Sequence, residues 1–315
     1  MSKLYRIPGG WPPDFERSVV TIGNFDGLHR GHEQIVKRLF AAARKHKAPS
    51  VVVTFEPHPG KVLGPDARPM IYPYAERVRL LFQQGVDAVV VQEFTAAVSK
   101  VEARDWARDV LVDGLRARHV VIGYDFHFGH EAQGDASFLA KMGAENGFDV
   151  EQVRATVSHG QPVSSSRVRR LLDAGEVAMA ADLLGHPFYL RGRVGRGDGR
   201  GRHLGFPTAN LETDWELRPA RGVYACLAVV NGERRAAAVN VGINPTFEGS
   251  EPTIEAHLLD FDEDLYGRDV TIHFLRRLRD ERKFDGIEEL VRHIRKDLTR
   301  VRQIVARRFD IEVRS

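Results

Sequence analysis

Residues 19–32 read Val19-Val20-Thr21-Ile22-Gly23-Asn24-Phe25-Asp26-Gly27-Leu28-His29-Arg30-Gly31-His32. The apolar run at 19–22 has the β-branched composition of a buried parallel strand, and glycines follow it at once. Beyond them Ile35, Val36, Leu39, Phe40 and Ala43 keep helical spacing, which predicts a helix over 33–46. Strand, glycine-rich turn and helix in that order form a phosphate site, because the first N–H groups of a helix lack intrahelical partners and carry partial positive charge. His29 and His32, three apart at the helix start, can share one face, and Gly31 between them lets a ligand approach the backbone. Gly23, Asn24, Phe25, Asp26, His29, Gly31 and His32 are therefore the first candidate nucleotide contacts, and the chemistry they suggest is nucleotidyl transfer from ATP.

A surface pair and half of a metal site are the competing readings of the two histidines. The metal reading lacks ligands, since the single cysteine, Cys226, lies far along the chain and no Glu stands between the histidines as in a His-Glu-x-x-His helix. With its preceding strand and turn, the segment resembles the adenylyltransferases of the His-x-x-His nucleotidyl-transfer superfamily. A second segment, Val163-Ser164-Ser165-Ser166-Arg167-Val168-Arg169, opens a helix with three hydroxyls. One serine is explained as a cap. Three hydroxyls beside Arg167, whose planar fork grips phosphate oxygens, also make a cradle for a triphosphate. This segment resembles the Ile-Ser-Ser-Thr-Arg-Ile-Arg motif of flavin adenylyltransferases, with Ser166 keeping the threonine's hydroxyl.

Between these motifs the apolar runs predict strands at 51–55, 86–91 and 120–122, and helices at 75–84, 103–115, 136–146 and 165–172. The implied class is α/β, a Rossmann-like nucleotidyltransferase domain whose parallel sheet is covered on both faces. Ligands in such sheets sit beyond the carboxyl ends of the strands. Thr54-Phe55-Glu56-Pro57-His58-Pro59 and Gly123-Tyr124-Asp125-Phe126-His127-Phe128-Gly129 fall there. Aromatic residues in such places are ordinarily core. Both segments resemble those lining the flavin and adenine sites of FAD synthetases, which implies flavin contacts from Phe55, Pro57, His58, Asp125, Phe126 and Phe128.

Near His186-Pro187 the helical rhythm stops. Residues 191–205, rich in Gly and Arg, are expected to form a loop, and no Gly-Lys-Ser/Thr follows to make it a Walker A loop. Predicted strands at 222–230, 236–241, 253–260 and 269–274, with an Asn231-Gly232 hairpin turn, suggest a small antiparallel β-barrel closed by a terminal helix over 287–308. The expected domains are 1–186 and 187–315. Gly205-Phe206-Pro207-Thr208-Ala209-Asn210 resembles the riboflavin kinase signature, backed by Gly222-Val223-Tyr224, Asn240-Val241-Gly242, Pro245-Thr246-Phe247, Thr253-Ile254-Glu255 and Asp264-Leu265-Tyr266-Gly267. In an extended segment Thr208 and Asn210 point the same way and offer oxygens that suit Mg2+. Thr253, Glu255 and His257 alternate with Ile254, Ala256 and Leu258, so one face of their strand is polar. Spacing alone does not single out Glu255. The resemblance implies that it is the general base and touches the flavin, that Gly205, Pro207, Thr208 and Asn210 meet the nucleotide, and that residues 278–284 match a Leu-Arg-x-Glu-x-x-Phe loop near the kinase site.

Both halves in this order resemble the bacterial bifunctional riboflavin kinase and FAD synthetase family. That implies ATP with Mg2+, riboflavin, FMN and FAD as small-molecule partners. Composition sets bounds: 315 residues suffice for two domains, and a net charge of +3 with interleaved acidic residues implies no general nucleic-acid surface. One cysteine and no apolar stretch of signal or bilayer length predict a cytoplasmic protein without a membrane partner. Oligomeric state stays open. Two alternatives stand beside this reading: an adenylyltransferase for another phosphorylated substrate with an unrelated barrel, and an RNA-binding protein using the Gly-Arg segment.

Overall fold

Six parallel strands build the first of two compact units, residues 1–165 and 166–315, in the computed structural model. The described residues are 3–11, 15–64, 68–196, 204–243, 252–282 and 284–309. Strands β1 (Lys3–Ile7), β2 (Ser18–Ile22), β3 (Ser50–Glu56), β4 (Ala88–Glu93), β5 (Ala117–Gly123) and β6 (Asp149–Val153) lie in the order β1-β4-β3-β2-β5-β6. Helices α1 (Arg30–His46), α2 (Pro59–Leu63), α3 (Tyr74–Gln83), α4 (Ala103–Ala107) and α5 (Ala136–Asn146) connect them. The valine-rich central strands are buried on both faces because successive side chains alternate. Val19, Val52 and Val89 join Val36, Leu39 and Leu81 of α1 and α3 in one apolar cluster. Val20, Val51, Val53 and Val90 join Trp106, Leu111 and Leu139 in another.

The expected doubly covered sheet is present, with differences that have physical reasons. β1 and β6 were not anticipated, since these edge strands are largely exposed and lack a continuous apolar run. α1 starts at Arg30 because His29 caps it, whereas the apolar periodicity begins only at Ile35. The helix expected over 103–115 is α4 followed by a π-helical stretch, Arg108–Gly114, a distinction that apolar spacing cannot make. A short hairpin, β7 (Val157–Ser158) with β8 (Gln161–Pro162), completes the unit.

In the second unit α6 (Ser165–Asp173), through which the division passes, is followed by α7 (Val177–Leu184), a helix not anticipated. Both belong with the barrel by packing. Ala220 N–H donates to the Leu172 carbonyl at 2.9 Å, and α7 lies on the last barrel strand. Strands β9 (Tyr189–Gly195), β10 (Ala209–Glu212), β11 (Gly222–Val230), β12 (Glu233–Ile243), β13 (Pro252–Leu258) and β14 (Asp269–Arg279) close as β10-β13-β12-β11-β14-β9. The expected loop from 191 is corrected by β9. Leu190 and Val194 are buried while Arg191 and Arg193 are not, an alternation that the Gly and Arg content obscures. Residues 197–203 of that segment, Pro245-Thr246-Phe247 and Lys283 lie outside the described residues.

The Asn231-Gly232 turn has the positive φ angles, 50° and 83°, that a tight hairpin between β11 and β12 requires. Helix α8 (Ile287–Arg308) has the expected bounds and buries Val301 and Val305 against Ala225, Leu227, Ala236 and Leu275. Its buried Asp297 pairs with Arg279 at 2.8 Å. His273 of β14 is pushed down to about 4, first by burial and then by His186, Arg234 and Arg191. An imidazole less basic in the folded chain than in the unfolded one makes unfolding take up a proton. Stability is therefore whole above about pH 6.5 and is lost as pH falls toward 4, by roughly 3 kcal/mol at the acid end. Thermal unfolding of the His273→Gln chain between pH 7.5 and 4.5 should show a flatter acid slope than that of the unsubstituted chain.

Candidate functional site

The turn after β2 is shaped by positive φ at Phe25, Gly27 and Leu28, of 50°, 83° and 39°. It delivers His29 as the cap of α1, where its Nδ1 accepts from the backbone N–H of His32 at 3.3 Å. The two imidazoles stack with centroids 3.7 Å apart and planes 12° apart, and the buried Phe25 ring sits 5.1 Å from His32. A Cβ on Gly31 would meet the His29 ring at 3.1 Å, so the glycine makes room for that ring. His32 lies well below the ordinary imidazole pKa, chiefly because it is buried and secondly because of His29. Its Nδ1 and the Asn24 Oδ1 are buried without hydrogen-bond partners among the described residues. Such atoms are costly unless a ligand meets them.

Asp26 is 1% exposed, and its carboxylate accepts from the backbone N–H groups of Ile71, at 3.0 Å, and Tyr72, at 3.3 Å. It thereby fixes the segment before α3 against the turn. Asp26→Ala should cost about 2–4 kcal/mol through unpaired buried amides, with Asp26→Asn costing less, as read by thermal unfolding. The hydroxyl of Ser165, the last residue of the first unit, donates to the Asp26 carbonyl at 2.8 Å and so ties that unit's end to the glycine turn. Arg167, two residues on, is 8% exposed. Ser164 is half-buried and Ser166 exposed.

Arg77 went unnoticed in the sequence. Fully buried on α3, it donates to the Asn24 carbonyl at 2.7 Å and pairs with Glu56 at 2.6 Å. Burial lowers its pKa, against the opposing pull of Asp26 and Glu56. The available signal was a cation in the apolar stripe Tyr74, Val78, Leu81.

At the ends of β3 and β5, Phe55, Phe126 and Phe128 gather around Trp106. Phe55 lies 6.4 Å and Phe128 5.3 Å from its ring, and Phe126 stacks on Phe128 at 5.5 Å. Phe128 is core, whereas Phe55 and Phe126 are half-buried and Asp125 is exposed. His58 caps α2, its Nδ1 accepting from Gly60 N–H at 3.0 Å, and Pro57 is half-buried beside it. Trp106 also went unnoticed, because it reads as one more apolar residue of a helix.

In the barrel Glu255 of β13 stands directly across from Asn210 of β10 on one side and Asn240 of β12 on the other. Its neighbours Ile254, Ala256 and Leu258 are buried, so the polar face expected for this strand is present. His257, on that face, hydrogen-bonds to the Pro207 carbonyl at 2.8 Å and meets the Phe206 ring edge-on at 5.8 Å. This holds the segment running from Gly205 through Pro207 and Thr208 to Asn210 beside β13. Asn240 donates to Glu281 at 3.2 Å, which brings the 278–284 segment to the same cluster. A Cβ on Gly242 would collide with Glu281.

A model described as FAD synthetase matches residues 12–167, and one described as riboflavin kinase matches residues 184–305. A bifunctional riboflavin kinase/FMN adenylyltransferase from Escherichia coli K12 is 38% identical over 296 residues, covering 93% of each chain. The protein of that name from Bacillus subtilis is 35% identical, covering 89% of this chain and 90% of its own. A crystal structure from Streptococcus pneumoniae, named as a macrolide-efflux protein, superposes with a TM-score of 0.87 at 32% identity, covering 97% of this chain and 99% of its own. Among the described residues no helix is long and apolar enough to cross a membrane.

Proposed function

The chain belongs to the bifunctional riboflavin kinase/FMN adenylyltransferase family, and from that premise we propose which residues carry each of its two reactions. It phosphorylates riboflavin with ATP, giving FMN and ADP, and adenylylates FMN with a second ATP, giving FAD and pyrophosphate. The first reaction needs a neutral ribityl hydroxyl to attack the γ-phosphorus, so a base that takes its proton lowers the barrier. Glu255 is that base. The second has an anionic FMN phosphate attacking the α-phosphorus, with no proton to remove. Its site must neutralise charge and hold the groups in line, the part given to His29, His32 and Arg167, with Ser164, Ser165 and Ser166 on the triphosphate.

The observation that most supports this division is the pairing of Glu255 with two flanking asparagines in one unit, set against stacked imidazoles on a helix start in the other. Asn210 and Thr208 offer the hard oxygen donors that Mg2+ takes, and the ion would supply charge neutralisation to the phosphates there. Phe55, Pro57, His58, Asp125 and Phe126 line the flavin's place in the adenylyltransferase, with Phe128 supporting Phe126 from behind. Asp26 and Phe25 serve the nucleotide by fixing the turn. The functional boundary is drawn at 186/187, keeping Ser166 and Arg167 with the first activity although α6 and α7 pack with the barrel. A cytosolic setting suits the one free, buried cysteine.

The test is incubation with riboflavin, ATP and Mg2+, followed by separation of the flavins over time. FMN should rise first and FAD after it. Absence of both, with FMN also left unconverted when supplied directly, would overturn the reading.

A further inference from the structure

α1 carries ligating side chains at both ends. From His29, beyond the carboxyl end of β2, it runs back to His46 in its last turn. There it meets His119, near the start of β5, and Asp149, the first residue of β6 and the register partner of His119. Ligand atoms of His46, His119 and Asp149 all lie within 4.8 Å of one another. The imidazoles are tilted by 37° with centroids 5.4 Å apart. Nε2 of His46 and both ring nitrogens of His119 are buried without hydrogen-bond partners among the described residues. Nothing in the flavin reactions uses these groups.

Two imidazoles and a carboxylate are the donor set of a borderline divalent transition ion and a poor one for Mg2+, which prefers oxygen alone. We infer that His46, His119 and Asp149 bind a zinc-class divalent ion that clips the last turn of α1 to β5 and β6. Tetrahedral bonds of zinc length bring donors to about 3.3 Å apart, so the site closes around the ion by roughly an ångström. The exposed Asp149 carboxylate and the half-buried His46 ring have that freedom. Glu151 lies 3.6 Å from His119 Nε2 but is paired with Arg38, which occupies its charge.

The full chain, stripped with chelator and free of ATP and flavin, is titrated with Co2+ and, separately, melted with and without Zn2+. Co2+ should give a tetrahedral visible spectrum and Zn2+ a higher melting temperature. Both should persist in His32→Gln, which removes the other histidine pair as a source. In Asp149→Asn and His46→Gln affinity should fall at least roughly tenfold. Asp149 is exposed, so its variant keeps the fold, as an unchanged rate of FMN adenylylation would verify. Loss of the signals in His32→Gln alone, equal binding in all variants, or no ion bound to the unsubstituted chain would each overturn the inference. None of these results bears on the flavin reading.

Discussion

Glu255→Ala is expected to stop conversion of riboflavin to FMN, with kcat falling about 10²–10⁴-fold, while supplied FMN is converted to FAD at the unsubstituted rate. The size follows from the nucleophile. A ribityl hydroxyl at neutral pH holds its proton, and without a positioned acceptor that proton must go to water during attack. Structural damage is not the expected cause of the loss, because Glu255 lies on the polar face of β13 and its truncation leaves Ile254, Ala256 and Leu258 in the barrel core. Glu255→Gln sharpens the test by keeping shape and hydrogen bonding while removing the acceptor. It should lose kcat with little change in the KM for riboflavin. A chain that still makes FMN within a few-fold of the normal rate in both variants would remove Glu255 from the role of base.

The asparagines across from Glu255 show how unevenly the site could be read beforehand. Asn210 sits in a recognisable signature two residues after Thr208, so its oxygen stood out. Asn240 stood out only as part of a backing motif, and its place as the equal neighbour of Glu255 did not, because strand pairing between distant segments is invisible to local spacing. The same limit hid the contact between Glu281 and Asn240. Local chemistry was legible where a short signal marks it: the consecutive valines of the sheet, the Asn231-Gly232 turn and the helical stripe of α8. It was not legible where polar residues interrupt the period. Arg191 and Arg193 on β9, Arg77 within the apolar stripe of α3 and Asp297 within that of α8 are such cases. Each is a charge whose place is settled by a partner far along the chain.

His32→Ala is expected to reverse the pattern, so that riboflavin is phosphorylated normally and FMN accumulates, with adenylylation slowed about 10²–10³-fold. Burial and His29 keep His32 neutral in the ligand-free chain at pH 7. Two stacked imidazoles 3.7 Å apart cannot both carry charge without a counter-ion. A bound triphosphate supplies that counter-ion and raises the pKa of His32 from its lowered value, so nucleotide binding should take up a proton. Calorimetric titration in buffers of different ionisation enthalpy should detect this uptake in the unsubstituted chain and lose it in His32→Ala. On the proposed division the source of the proton distinguishes the two sites: the barrel base would take it from the substrate hydroxyl during attack, whereas the helix-start pair would take it from solvent when the nucleotide binds. If His32→Ala left FAD formation within a few-fold of normal, or slowed both reactions alike in a chain that remained folded, the assignment of charge neutralisation to this histidine pair would fail.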